Sequence, residues 1–204
     1  SQGRIYAYRA PAGHTSAEAI NAVISGLGSV RMPIRFRDPK TLITHARLLE
    51  LVEYRPETGE FIWASERPKY GRIFKGDVIK GSFSGDGYSL LCLDAKVYGA
   101  SRLAWFYVYG EWPMVEVDHI DTDKLNNRIE NLRLAPTREL QLANQGVRPD
   151  NEAGIKGVRR TRRGKPWEAR LKGKSLGRFH TPEEASAAYL RAARERFGEY
   201  ARSG

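Results

Sequence analysis

One cysteine, Cys92, is all the thiol chemistry this 204-residue chain has. A lone thiol excludes an internal disulfide and any zinc site built on several cysteines. Cys92 lies among Leu90, Leu91 and Leu93, so it is expected as a small buried hydrophobe. No apolar stretch approaches the length of a membrane span and no signal-peptide pattern is visible, which points to a cytosolic protein. Acidic residues are scarce at one end only. Residues 146–204 hold 15 Lys and Arg against 7 Asp and Glu, whereas residues 1–145 hold 19 against 17. The net charge of +10 therefore sits almost wholly in the last quarter. A compact basic module attached to a nearly neutral one suits docking on a polyanion. With 41% hydrophobic residues, the chain has enough apolar material for one or two globular cores.

The most informative stretch is VDHIDTDKLNNRIENLRLAPTRELQLAN, residues 117–144. Asp118 and His119 close an apolar-leaning segment, a polar loop with Asn126 and Asn127 follows, and Asn131-Leu132-Arg133-Leu134 is a second strand-like run. A helix is expected from near Thr137, after Pro136. Strand, loop, strand and helix can hold one imidazole and one hard metal ion together, and phosphodiester hydrolysis needs both. A neutral histidine takes a proton from water near neutral pH. A magnesium-type ion prefers oxygen ligands and keeps several waters, so one or two protein oxygens suffice. Asp118 supplies such an oxygen and His119 the base. Gln141 and Asn144, three residues apart and on one helix face, offer amide oxygens, and Asn131 is suited to brace the loop that aims His119.

VDHID…NN…ENLRL resembles the HNH nuclease motif, the ββα-metal finger of colicin-type and phage homing endonucleases, and more narrowly the phage enzymes with Asn in the third position. YRPETGEFIW (54–63), GDGYSLLCLD (85–94) and ASRLAWFYVYGEWP (100–113) resemble the text that precedes the motif in phage members, so the likeness covers roughly residues 45–145. It implies that Asp118 is a metal ligand, His119 the general base and Asn131 the middle motif residue. It also implies one divalent ion, magnesium or manganese, no small-molecule cofactor, and cleavage of double-stranded DNA. The setting would be the cytoplasm of a bacterium or a phage-infected cell. The family pattern places a second metal-binding Asn nine residues after the middle one, where this chain has Leu140. A slip of one residue near Ala135-Pro136 puts Gln141 at that position and leaves Asn144 matching a further family Asn.

The tail carries its own pattern. In the middle of three short strand candidates, Trp167, Ala169 and Leu171 alternate with Glu168, Arg170 and Lys172, giving one apolar and one mostly basic face. Thr181-Pro182-Glu183-Glu184 predicts a capped helix start. Ala185, Ala188, Tyr189, Ala192 and Phe197 then form an apolar stripe at helical spacing, suited to pack on the Trp167 face. KGVRR, WEAR, LGRF, TPEEA, AY and AA resemble the plant ethylene-response-factor type DNA-binding domain, over 154–204. That likeness implies a three-stranded sheet entering the major groove, with Lys156, Arg159, Thr161, Arg170, Lys172 and Ser175 on the contacting face. Plant members often place Trp where this chain has Ser175. Arg159 and Arg170 are the expected base readers, and Lys156 and Lys172 the expected phosphate contacts.

The expected organisation is α+β: an N-terminal extension (1–43), an HNH domain (44–145), a linker (146–153) and a sheet-plus-helix DNA-binding domain (154–204). Within it, Thr15–Ile24 reads as a short helix, RMPIRFRDPK as a linker or peripheral strand, 44–54 as a helix, Glu60–Ala64 and Tyr88–Leu93 as strands, and Ser101–Tyr109 as a core helix ended by Gly110 and Pro113. The expected activity is that of a monomeric, strand-nicking DNA endonuclease. The competing expectation is a degenerate HNH protein kept as a DNA-binding regulator, and Leu140 favours it. A third is an RNA-directed nuclease.

Overall fold

A computed structural model describes residues 42–66, 73–135, 138–162 and 166–202. The helix expected over Thr15–Ile24 and the basic segment at 31–40 lie outside the described residues. The chain divides into two units, Ser1–Pro136 and Thr137–Gly204. Among the described residues no helix is long and apolar enough to cross a membrane.

In the first unit, helix α1 (His45–Leu51) starts where the Thr44 side chain accepts a hydrogen bond from the Arg47 amide. The helix expected to run through Tyr54 stops at Leu51. Val52–Arg55 is instead strand β1, paired antiparallel with β2 (Glu60–Trp63) so that Val52 faces Trp63 and Tyr54 faces Phe61. Val52 and Tyr54 are buried and Glu53 and Arg55 exposed, a period of two that the helical spacing before it conceals. Strands β3 (Ser82–Phe83), β4 (Ser89–Leu93) and β5 (Lys96–Gly99) form a second antiparallel sheet, ordered β3-β4-β5. Cys92 is exposed, contrary to its expected burial. Leu91 and Leu93 point inward, so the alternation of the strand turns Cys92 outward.

Helix α2 (Ala100–Tyr109) is the centre of this unit. It buries Leu103, Ala104, Trp105 and Phe106 and ends at Gly110, whose φ of 74° lets the chain leave in a left-handed turn. Trp112 stacks on Phe106 with ring centroids 4.2 Å apart. Arg102 reaches from α2 to the carbonyls of Pro113 (2.6 Å) and Val115 (3.0 Å). Those two bonds fix the chain just before strand β6 (Glu116–His119). β6 pairs antiparallel with β7 (Leu132–Ala135), which follows a 3-10 turn at Ile129–Asn131. The buried Val117, Ile129, Leu132 and Leu134 join the core that holds Leu48, Leu103 and Phe106, so the hairpin rests on α2 by its apolar face.

The second unit begins with helix α3 (Arg138–Asn144). Strands β8 (Val158–Arg160), β9 (Trp167–Leu171) and β10 (Lys174–Phe179) form an antiparallel sheet ordered β10-β9-β8. Helix α4 (Pro182–Phe197) covers one face and is followed by a 3-10 turn at Gly198–Tyr200. Thr181 and Glu184 form the capping box their spacing predicts, with Pro182 in the first turn. Ala185, Tyr189, Ala193 and Phe197 are the buried line of α4, and they meet Val158 and Ala169 of the sheet. The approach is close at Gly157, where φ is +71° and a Cβ would lie 2.1 Å from the Tyr189 ring. Ala143 of α3 is buried in this same core, with Leu140 packed against it.

Candidate active site and nucleic-acid interface

The β6–β7 hairpin decides where Asp118 and His119 point. They are consecutive in a strand, so their side chains leave opposite faces. Asp118 sits directly across from Arg133. The Arg133 Nε and Nη2 both donate to the Asp118 Oδ2 at 3.2 Å, and the two side chains are only 10% and 15% exposed. His119 lies on the inward face with Val117 and is 3% exposed. Its Nε2 is 3.2 Å from the Oδ1 of Asn127, and its ring lies 5.9 Å from that of Tyr88.

The loop between the strands is held by amides. The Asn131 Oδ1 accepts the Asp121 amide at 3.0 Å, and its Nδ2 donates to the Asp121 Oδ1 and to the Asn126 carbonyl, both at 2.9 Å. The Asn126 Nδ2 donates to the other Asp121 oxygen at 2.6 Å. Partial burial alone would raise the Asp121 carboxyl, but hydrogen bonds from Asn126, Asn131 and the Asp123 amide outweigh it and hold the group below the usual carboxylate range. Asn131 therefore ties Asp121 to Asn126 within the loop, from a 3-10 turn rather than from the strand.

Sequence reasoning passed over three residues here. Asn127, read as part of a polar loop, is buried against His119. Tyr88, read as strand text, touches the His119 ring, and burial followed by the charges of Asp118, Glu116 and Asp86 pushes its hydroxyl up. Lys124 places its ammonium 4.8 Å from the Tyr88 ring centre and donates to the Asp86 carbonyl. Tyr88 and Lys124 act through contacts between distant stretches of chain, which local periodicity does not carry, and Asn127 through a side-chain contact across its own loop.

Among the described residues no group of three or more His, Cys, Asp or Glu side chains is placed to hold a metal ion. A magnesium-type ion asks for less, one or two protein oxygens and water. Asp118 offers a hard oxygen donor and fits such an ion in kind, with Arg133 sharing the carboxylate. Gln141 and Asn144 lie on α3 in the second unit, Gln141 half-buried and Asn144 buried.

On the second unit the face of the sheet opposite α4 is arginine-rich with one acid at its centre. Cross-strand pairing puts Arg159, Glu168 and Arg178 on one rung and Arg170 and Ser175 on the next. The Arg159 Nε donates to the Glu168 Oε2 at 2.6 Å, and the Glu168 side chain is 7% exposed. The Ser175 hydroxyl and then the Arg159 guanidinium hold the Glu168 carboxyl below its ordinary value. The expected basic face thus contains a buried carboxylate, and Arg178 joins it unannounced by the sequence pattern. The Arg170 Nε is buried without a hydrogen-bond partner among the described residues. Lys172 is exposed in the β9–β10 turn with φ at 49°, not in the strand, and Thr161 closes the β8–β9 connection through its amide to the Pro166 carbonyl. Lys156 donates to the carbonyls of Ala143 and Gln145 at the end of α3, so two of its three donors serve protein oxygens. A cleft of about 1070 Å³ runs over this unit. Seven of its lining residues are Lys or Arg, among them Arg138, Arg148 and Arg160, against the acidic Asp150 and Glu152.

No curated protein and no solved structure matches the chain. Residues 98–142, from β5 through α2 and the hairpin to α3, match the family model of HNH endonucleases, a family of DNA endonucleases, and this supports a nuclease function.

Proposed function

We propose that the protein is a metal-dependent DNA endonuclease that nicks duplex DNA as a monomer, anchored by the basic sheet of its second unit. The observation that carries this is the match over 98–142, together with an imidazole, a carboxylate and a bracing asparagine on one hairpin. His119 takes a proton from water. The water oxygen forms a bond to phosphorus in line with the leaving 3′ oxygen, whose bond to phosphorus breaks; the leaving oxygen takes a proton from solvent water, giving a 3′ hydroxyl and a 5′ phosphate. Asp118 would hold a magnesium or manganese ion, which when bound neutralises charge on the phosphate and the leaving oxygen. Arg159, Arg170 and Arg178 read or clamp the duplex, and Lys172 and Ser175 flank them. Tethering by this face raises the local concentration of the hairpin at nearby phosphates. A phage-borne homing or mobile-element role fits this design by analogy with the family.

The test is nicking of supercoiled plasmid in magnesium or manganese. His119→Ala should lose about 10²–10⁴-fold in rate, the usual contribution of a general base, with DNA binding unchanged. The Asp118–Arg133 pair and Leu140 favour a second reading, a DNA-binding regulator built on a disabled nuclease. Equal inactivity of wild type and His119→Ala, with binding intact, would select it.

A further inference from the structure

We propose that Asn127 is a positioning residue for His119. Its amide oxygen dictates which ring nitrogen carries the hydrogen, so that the base acts from Nδ1. The assignment follows from the contacts of the Asn127 side chain. Its Nδ2 donates to the Leu125 carbonyl at 3.2 Å. A carbonyl oxygen only accepts, so the nitrogen end of the amide faces Leu125 and the oxygen end faces the imidazole, 3.2 Å from Nε2. An amide oxygen also only accepts, so Nε2 is the protonated nitrogen. In neutral imidazole the basic lone pair is then on Nδ1.

The backbone that carries this amide is held in place. Asn127 is 5% exposed. The Tyr54 hydroxyl donates to its backbone carbonyl at 2.7 Å. The β1–β2 turn presses on the same backbone at Gly59, where a Cβ would lie 2.6 Å from the Asn127 carbonyl carbon. Tyr54 and Gly59 both lie outside residues 98–142, so the device that orients the histidine is built partly by chain beyond the matched segment. Asn131 braces the outer part of the loop through Asp121 and Asn126, and Asn127 passes that rigidity to the ring.

The inference rests on the nuclease reading for its consequence: the water proton passes to Nδ1 while Nε2–H stays on the Asn127 oxygen. The tautomer itself can be read without turnover. Long-range proton–nitrogen NMR of nitrogen-15-labelled full-length protein, above the pH where the ring is charged, should show His119 as the Nε2–H form. Asn127→Ala should give mixed tautomers and lower kcat about 10²-fold, the lower end of a general base's contribution, with KM unchanged. Asn127→Asp keeps an acceptor and should keep the Nε2–H form. A wild-type ring protonated on Nδ1 overturns the proposal, and this measurement stands even if Asn127→Ala fails to fold. An unchanged tautomer in a folded Asn127→Ala overturns it as well. Absence of nicking alongside the Nε2–H form would sink the nuclease reading alone and support the positioning contact.

Discussion

The guanidinium of Arg133 lies on the carboxylate of Asp118 across one rung of the β6–β7 hairpin, with two nitrogens 3.2 Å from the same oxygen. The carboxylate proposed to hold a divalent cation thus already has a cation of the protein's own. Arg133→Ala leaves a mostly buried carboxylate without that partner, which should cost about 3 kcal/mol of stability in metal-free buffer. Manganese should then recover part of the loss by taking the guanidinium's place. Urea midpoints with and without manganese check both halves. A midpoint indifferent to manganese would argue against Asp118 as a ligand.

Glu168 makes the second unit sensitive to acid. Its carboxyl is depressed by Ser175 and then Arg159, so its contribution to stability is fully present above the unfolded value of about 4.3 and is lost as pH falls through the lower folded value. Thermal melts of wild type and Glu168→Gln should therefore differ most near neutrality and converge in acid. Parallel curves at all pH values would show that the carboxylate carries no folding linkage.

Arg178 shares its rung with Glu168 and Arg159, which places it on the face assigned to DNA. Binding should weaken steeply with salt because counterions are released. Arg178→Ala should reduce the slope of log K against log salt by about 0.9 if it neutralises one phosphate. Fluorescence anisotropy over a salt series measures it, and a flat response from the wild type would remove the sheet as docking surface.

Gly157→Ala should damage the second unit more than most surface changes. The backbone there needs a positive φ, worth about 1–3 kcal/mol of strain for a residue with a Cβ, and the new methyl would collide with Tyr189. Denaturant unfolding of the variant reads the loss, and an unchanged midpoint would contradict the described helix–sheet approach.

Much of the frame was legible because it is local. The apolar-leaning segment closed by Asp118 and His119, the Gly110 end of α2 and the capping box at Thr181 are each set by neighbours in sequence. What was hidden depends on partners far along the chain. Val52 and Tyr54 continue a helical spacing but become strand because Trp63 and Phe61 pair with them. Cys92 reads as core until its strand is placed face-on. Glu168 reads as one position on a mostly basic face until Arg159 and Ser175 close over it. Asn127 matters because Tyr54 and His119 converge on it, and neither is its neighbour in sequence.

The attachment of α3 bears on how such proteins are recombined. Family likeness runs through residue 142, yet Ala143 is buried beside Val158 and Tyr189, and Lys156 binds the helix's last carbonyls. A chimera joined after residue 145 would strand this helix without its native neighbours, whereas a junction at Pro136 would carry it along with its packing. Exchange of the second unit should therefore succeed at the earlier seam when the incoming chain brings its own version of this helix, because the folding block opens at Thr137 while the family likeness continues to residue 142.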